Sequence, residues 1–200
     1  MTSDGGRRAA ILRAAEKVFA REGYDGATMR QIAAEADAKL SLVVYHFTSK
    51  LGLYVAIFEG RQYVNEQRLA RLAAIPDLRA DDAVEQIVHA FADPVLALHD
   101  DPDDIWFARL VMREASDPSS QQRPVIAELF DPMAREFIKA LREALPGKPD
   151  GFHHWAYLFS VGALTKSSYE VRVSNLTDKP RIDQKQDILR SFIVAALRYG

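Results

Sequence analysis

The chain has 200 residues, 48% hydrophobic and 27% charged, the balance of an ordinary soluble globular protein with room for one large or two small cores. It has no cysteine, which excludes a disulfide scaffold, a cysteine nucleophile and a thiolate metal site. The net charge is -2, and residues 1–60 carry eight basic against seven acidic side chains. No basic domain announces nucleic acid, so any such contact rests on a few local side chains.

Taken in chain order, the pattern is helical throughout, with no period-2 alternation bounded by turns, no repeats and no low-complexity tract. Residues 7–22 read as a first helix with Leu12, Ala15 and Phe19 on one stripe. Gly23 stops it, and Asp25-Gly26 marks a turn. Thr28 with Gln31 three places on makes a capping box, opening a helix over about 29–36. Asp37 breaks it, a short helix spans 40–47, and Thr48 or Ser49 caps a helix running from 50 to about 72. Ile75-Pro76-Asp77 is the clearest linker. A helix over 82–99 contains Pro94, which should kink or split it. The acidic run Asp100, Asp101, Asp103 and Asp104 opens a helix to about 116, where negative charge meets the positive end of the dipole. Helices over 121–145, 151–173 and 182–199 complete an all-α chain of about nine helices.

The basic pair Arg7-Arg8 is followed by a run broken by Arg13, Glu16 and Lys17, not by a signal peptide's apolar core. No stretch approaches the roughly 18 uncharged apolar residues of a membrane span. A cytoplasmic protein with no membrane partner is the expectation.

Residues 28–47 are two short helices joined by a tight turn, with Ile32, Ala33 and Ala36 facing inward from the first and Leu42, Val43 and Phe47 from the second. In a helix-turn-helix, the second helix enters the major groove and its N-terminal residues reach base edges. The segment TMRQIAAEADAKLSLVVYHFTSKLGLYVAIF resembles the DNA-binding segment of TetR-type regulators. The match runs over Thr28, Ile32, Ala33, Ala36, Tyr45, His46, Phe47, Ser49, Lys50 and Leu53, and the resemblance covers about residues 8–58. Asp37 stands where the family has glycine, and aspartate tolerates a left-handed backbone better than most residues. LVMREASDPSS at 110–120 resembles the Arg-Glu…Pro-Ser signature of one branch.

The resemblance implies a helix-turn-helix domain over 1–49 and a helical effector-binding and dimerisation domain over 50–200, linked by the helix at 50–72. It implies a homodimer on double-stranded DNA with a palindromic operator, released by a small-molecule effector. Thr28 and Lys50 would hold phosphates, with Tyr45 and His46 on backbone or sugar. Lys39, Leu40 and Ser41 begin the recognition helix as base-edge candidates; lysine donates to guanine and leucine touches a thymine methyl. Arg30 and Gln31 reach the backbone, unless Gln31 is held in the capping box. The alternative is a helical interaction module that has lost specific DNA binding.

In the second domain, Ala156, Ser160, Ala163 and Ser167 form a small-residue face suited to close helix approach. The last helix presents Ile188, Phe192 and Ala196. The resemblance makes these the dimer interface; intramolecular core is the rival reading. His89, Phe91, Trp106, Phe107, Met112, Arg113, Phe130, Met133, Phe137 and Tyr157 are the effector-pocket candidates, each equally readable as core, with Arg113 and Glu114 as a structural ion pair. Catalysis, cofactors and metals are not expected. His153 and His154 are adjacent and point about 100° apart on a helix. The acidic run lacks the glycine and distal glutamate of a calcium loop, and no phosphate loop or nucleophile elbow occurs.

Overall fold

The computed structural model describes residues 4–102, 104–166, 170–176 and 184–200. In chain order the helices are α1 (Asp4–Gly26), α2 (Met29–Glu35), α3 (Leu40–Phe47), α4 (Lys50–Gly60), α5 (Tyr63–Ala73), α6 (Ala83–Asp100), α7 (Ile105–Ser116), α8 (Asp131–Ala144), α9 (Phe152–Lys166), α10 (Glu170–Ser174) and α11 (Lys185–Tyr199). A 3-10 turn (Pro118–Gln122) and a π-helical turn (Val125–Phe130) separate α7 from α8. No strand occurs among the described residues, and no single helix there is long and apolar enough to cross a membrane.

The helix boundaries follow local chemistry. α1 breaks at Gly23, whose φ of 77° is open to glycine and strained for other residues. Two expectations need correction. The helix expected over 50–72 is two helices, broken at Arg61, where the guanidinium is drawn onto Glu16 (3.0 Å) and Asp104 (2.6 Å). The helix expected over 121–145 begins only after Pro124. Arg123, preceding that proline, is forced extended (φ -117°, ψ 146°), and the chain re-enters helix through the π turn. α6 runs through Pro94 without splitting.

The chain divides into two compact units that are not contiguous in sequence: residues 1–63 with 100–130, and residues 64–99 with 131–200. In the first, α1 packs on α2, α4 and α7, burying Ile11, Ala15, Phe19, Ile32, Val43, Leu53 and Phe58. The segment 100–130 thus groups with the N-terminal helices. In the second, α9 packs on α8 and α11, around Ile87, Val88, Phe91, Phe137, Leu141, Ile193 and Leu197.

Candidate functional site

The helical pair α2–α3 is built from its caps. Thr28 accepts from the Gln31 backbone N–H (3.2 Å), and the Gln31 side chain accepts from the Thr28 backbone N–H (2.8 Å) and hydroxyl (2.8 Å). Both reciprocal bonds of the capping box are present, so the Gln31 side chain is held in the cap. Asp37 makes the turn with φ 47°. Ile32 and Ala33 from α2 and Val43 and Phe47 from α3 then bury toward α1 and α4.

Burying those residues leaves the opposite face of α3 in solvent. Lys39, Leu40, Ser41, Val44 and Tyr45 are exposed, Tyr45 at 75%. Val44 was not singled out from sequence, although it stands three places from Ser41 and so shares its face. A surface groove of about 820 Å³ runs beside α3, lined by Arg7, Asp37, Lys39, Ser41, Leu42 and Tyr45. Arg7, from the start of α1, is the second residue that sequence reasoning missed; nothing in its local pattern ties it to α3. Lys39 precedes α3 with extended backbone, and its side chain is exposed. His46 is half-buried between the Tyr45 and Phe47 rings. Arg30 is exposed beside the N-terminus of α2.

Lys50 lies differently. Its ammonium donates to the carbonyls of Tyr24 (2.8 Å), Ala27 (3.2 Å) and Asp25 (3.4 Å) and stands over the Tyr24 ring. The side chain therefore ties the end of α1 to the start of α4. Ser49 caps α4 through the Gly52 N–H at 3.0 Å, and a Cβ on Gly52 would meet the Phe47 carbonyl oxygen at 2.6 Å.

Behind this surface the first unit holds a buried polar cluster. Glu114, 1% exposed, accepts from Arg123 (2.7 Å) and from the Tyr54 hydroxyl (2.8 Å). Arg123 also donates to Asp117 (2.6 Å), whose other oxygen caps the 3-10 turn through Ser119 N–H (2.8 Å). Burial, with the neighbouring Glu114 charge, pushes the Tyr54 phenol far up, so it stays a hydrogen-bond donor. Glu114 therefore pairs with Arg123 and not with its neighbour Arg113, which donates to the carbonyls of Arg21 (3.0 Å) and Ala20 (3.4 Å) at the end of α1. Trp106 lies between the guanidinia of Arg21 and Arg109, each 4.8 Å from its ring. Phe107 and Phe130 pack on Phe58, and Met112 is half-buried.

The other effector-pocket candidates belong to the second unit. Phe91, Phe137 and Tyr157 form one aromatic cluster, with Met133 buried nearby on α8. The guanidinium of Arg68, a residue not selected from sequence, lies 4.6 Å from the Phe91 ring and 5.5 Å from that of Phe137. A cavity of about 10 Å³ adjoins the three aromatics, lined also by Ile87, Leu141 and Ser160. His89 points outward and pairs with Asp93 at 3.0 Å. His153 is buried and donates from Nε2 to the Leu145 carbonyl (3.0 Å). Among the described residues no cluster of His, Asp or Glu has the makings of a metal site.

Of the expected interface residues, Ala156, Ser160 and Ala163 are half-buried, and Ser167 lies outside the described residues. Ser160 lines the interior cavity and donates to the Ala156 carbonyl (2.7 Å). The exposed apolar face of α9 is a different one, made by Trp155, Leu158 and Phe159 (68% exposed). On α11, Ile188 and Phe192 (64%) are exposed, as is Ala196.

Residues 11–57 match the model of bacterial regulatory proteins of the tetR family, and residues 89–196 match the tetracyclin repressor-like C-terminal domain. The chain belongs to the tetR family. Within that family, it is 29% identical over 138 residues to the HTH-type transcriptional regulator SrpR of Pseudomonas putida, a match covering 69% of this chain and 61% of SrpR. It is 32% identical over 112 residues to the HTH-type transcriptional regulator TtgW, also of Pseudomonas putida, covering 56% of this chain and 77% of TtgW. The fold of this tetR-family chain is similar to that of the fatty acid degradation regulator FadR from Bacillus halodurans. Its TM-score is 0.67 at 16% identity, covering 97% of each chain.

Proposed function

We propose that this chain is a cytoplasmic, homodimeric transcriptional repressor. It binds a palindromic operator through α2–α3 and is released when a small-molecule effector occupies its helical second unit. The observation that carries the reading is the solvent-facing side of α3. A capped helix and a one-residue left-handed turn hold it, and Val43 and Phe47 on its other side are buried.

In this reading Lys39, Leu40 and Ser41 meet base edges, joined by Val44, because they share the outward face at the start of α3. Tyr45, His46, Thr28 and Arg30 meet phosphate and sugar, fixing register without reading sequence. Arg7 adds a phosphate contact from across the groove. Lys50 contributes through its backbone N–H at the start of α4, since its ammonium is engaged with three carbonyls. Gln31 acts through the cap. The dimer forms through α9 and α11, setting two α3 helices about 34–36 Å apart, one turn of B-DNA.

Release is an equilibrium shift. The chain crosses between the units at 63–64, 99–100 and 130–131. An effector that binds one arrangement of the dimer better than another changes operator affinity by that difference and no more. Catalysis has no part in the reading.

The test is fluorescence anisotropy with DNA from upstream of the protein's own gene, titrated at several salt concentrations against scrambled competitor. Tight, competitor-resistant binding that falls steeply with salt is expected. Binding indifferent to sequence, there and in a genome-wide selection, leaves a helical interaction module instead.

A further inference from the structure

Among the described arginines, Arg68 stands apart. Arg61, Arg123 and Arg190 are each drawn onto two carboxylates. Arg68 is 5% exposed, and its electrostatic partners among the described residues are the Tyr157 hydroxyl and two aromatic faces, with no carboxylate among them. Its contact with the Asn65 side-chain oxygen is long, 3.5 Å, and its Nε has no hydrogen-bond partner among the described residues. Burial pulls its pKa down to about 10, which still leaves it cationic at neutral pH. A buried, permanently charged fork with an unmet donor is costly to keep unless something arrives to meet it.

The surroundings say what would meet it. Phe91, Phe137 and Tyr157, the residues that hold the guanidinium, also line the cavity of the second unit, whose remaining walls are aliphatic apart from Ser160. The same three aromatic rings thus touch a planar cation with paired donors and wall an otherwise apolar space that the cation itself does not line. Guanidinium takes a carboxylate bidentately, and the match is planar on planar. At about 10 Å³ the cavity holds no more than a water in this state, so a ligand opens it by moving the aromatic walls, which stand edge-to-face at 5.6 Å. We propose that the effector is an organic monocarboxylate with an apolar body, received by Arg68 between Phe91, Phe137 and Tyr157. The inference rests on the effector-responsive reading above and names the ligand class it requires.

The test takes the full-length protein with three carboxylates (octanoate, benzoate and 3-phenylpropanoate), each beside the alcohol of the same skeleton. Binding is read by calorimetry and operator release by anisotropy. At least one acid should bind about 30-fold or more tighter than its alcohol, the scale of a charge-assisted pair. Arg68→Met should erase that preference. Alcohols binding as well as their acids, no acid binding, or a preference that survives Arg68→Met would overturn the proposal. The comparison on the unmutated protein stands alone if the variant folds poorly. The two readings fail separately. Operator release by the alcohols alone removes the carboxylate and keeps the regulator. A clear acid preference in a protein that binds no operator keeps the carboxylate site and removes the regulator.

Discussion

Glu114 and Arg68 are opposite cases of one rule. Glu114 is nearly inaccessible and fully engaged by Arg123 and Tyr54. Removing its charge leaves the buried Arg123 guanidinium with Asp117 as its one carboxylate, so Glu114→Gln should cost about 3 kcal/mol in urea unfolding, the low end for breaking a buried pair. Tyr54→Phe removes one donor from a carboxylate that keeps its others, and should cost only about 1–2 kcal/mol. A Tyr54 effect as large as that of Glu114 would show that the hydroxyl, not the ion pair, organises the cluster. Arg68 has no carboxylate to strand, so Arg68→Met should raise the unliganded melting temperature, because a desolvated charge is exchanged for a side chain that packs. At low pH, Asp117 is held below its usual value by the Ser119 N–H and Arg123, and Glu85 by Arg198. Both contributions are complete above the unfolded values of 3.8 and 4.5. They fade as pH falls through the lower folded values, so stability should decline below about pH 4.

Among the elements, the α2–α3 turn is where sequence and backbone meet most directly. Asp37 adopts φ 47°, a region that costs an L-residue about 1–2 kcal/mol and aspartate less. Asp37→Gly should therefore keep the fold and gain up to about 1 kcal/mol, whereas Asp37→Val should lose stability and operator binding together. Gly52 is the converse. Its missing Cβ leaves room for the Phe47 carbonyl, so Gly52→Ala should cost about 1–3 kcal/mol by thermal melting. This stretch is legible in sequence because each signal is local: Thr28 with Gln31, Asp37 in the turn, Ser49 before Lys50. The break at Arg61 has a local signal in Gly60, the last residue of α4, but the partners that hold Arg61 there, Glu16 and Asp104, are 45 and 43 residues away. The extended residue before Pro124 is a local signal too, but the helical period on either side of it outweighs it. Arg68 carries no local signal on its own helix, and Lys50 is expected by resemblance to hold a phosphate. Only the carbonyls of α1 around Lys50, and the aromatic side chains of α6, α8 and α9 around Arg68, reveal that both are internal.

At the scale of the molecule, the proposed dimer follows from what the second unit leaves uncovered. α9 buries Tyr157 and Leu164 and α11 buries Leu189, Ile193 and Leu197, which turns Trp155, Leu158 and Phe159 on one helix and Ile188 and Phe192 on the other into solvent. Large exposed apolar side chains of this number on neighbouring helices mark an interaction face, and a two-fold axis lets one such face cover its own copy. The Ala156–Ser160–Ala163 row has the spacing of a close helix contact, but Ser160 faces the cavity within the chain. The bulky residues are therefore the ones to alter. Phe159→Asp and Phe192→Asp each place a charge at an already exposed position, so the protomer fold has nothing to lose by it. In sedimentation velocity both variants should run as monomers with circular dichroism unchanged. Operator affinity should fall by about 100-fold or more, since a lone α3 keeps one half-site and the gain from linking two is gone. Ala163→Asp, on the half-buried row, should instead lower stability before it touches assembly. If Ala163→Asp alone dissociates the dimer while the two phenylalanine variants stay dimeric, the interface is the small-residue face after all and the exposed aromatics serve some other partner.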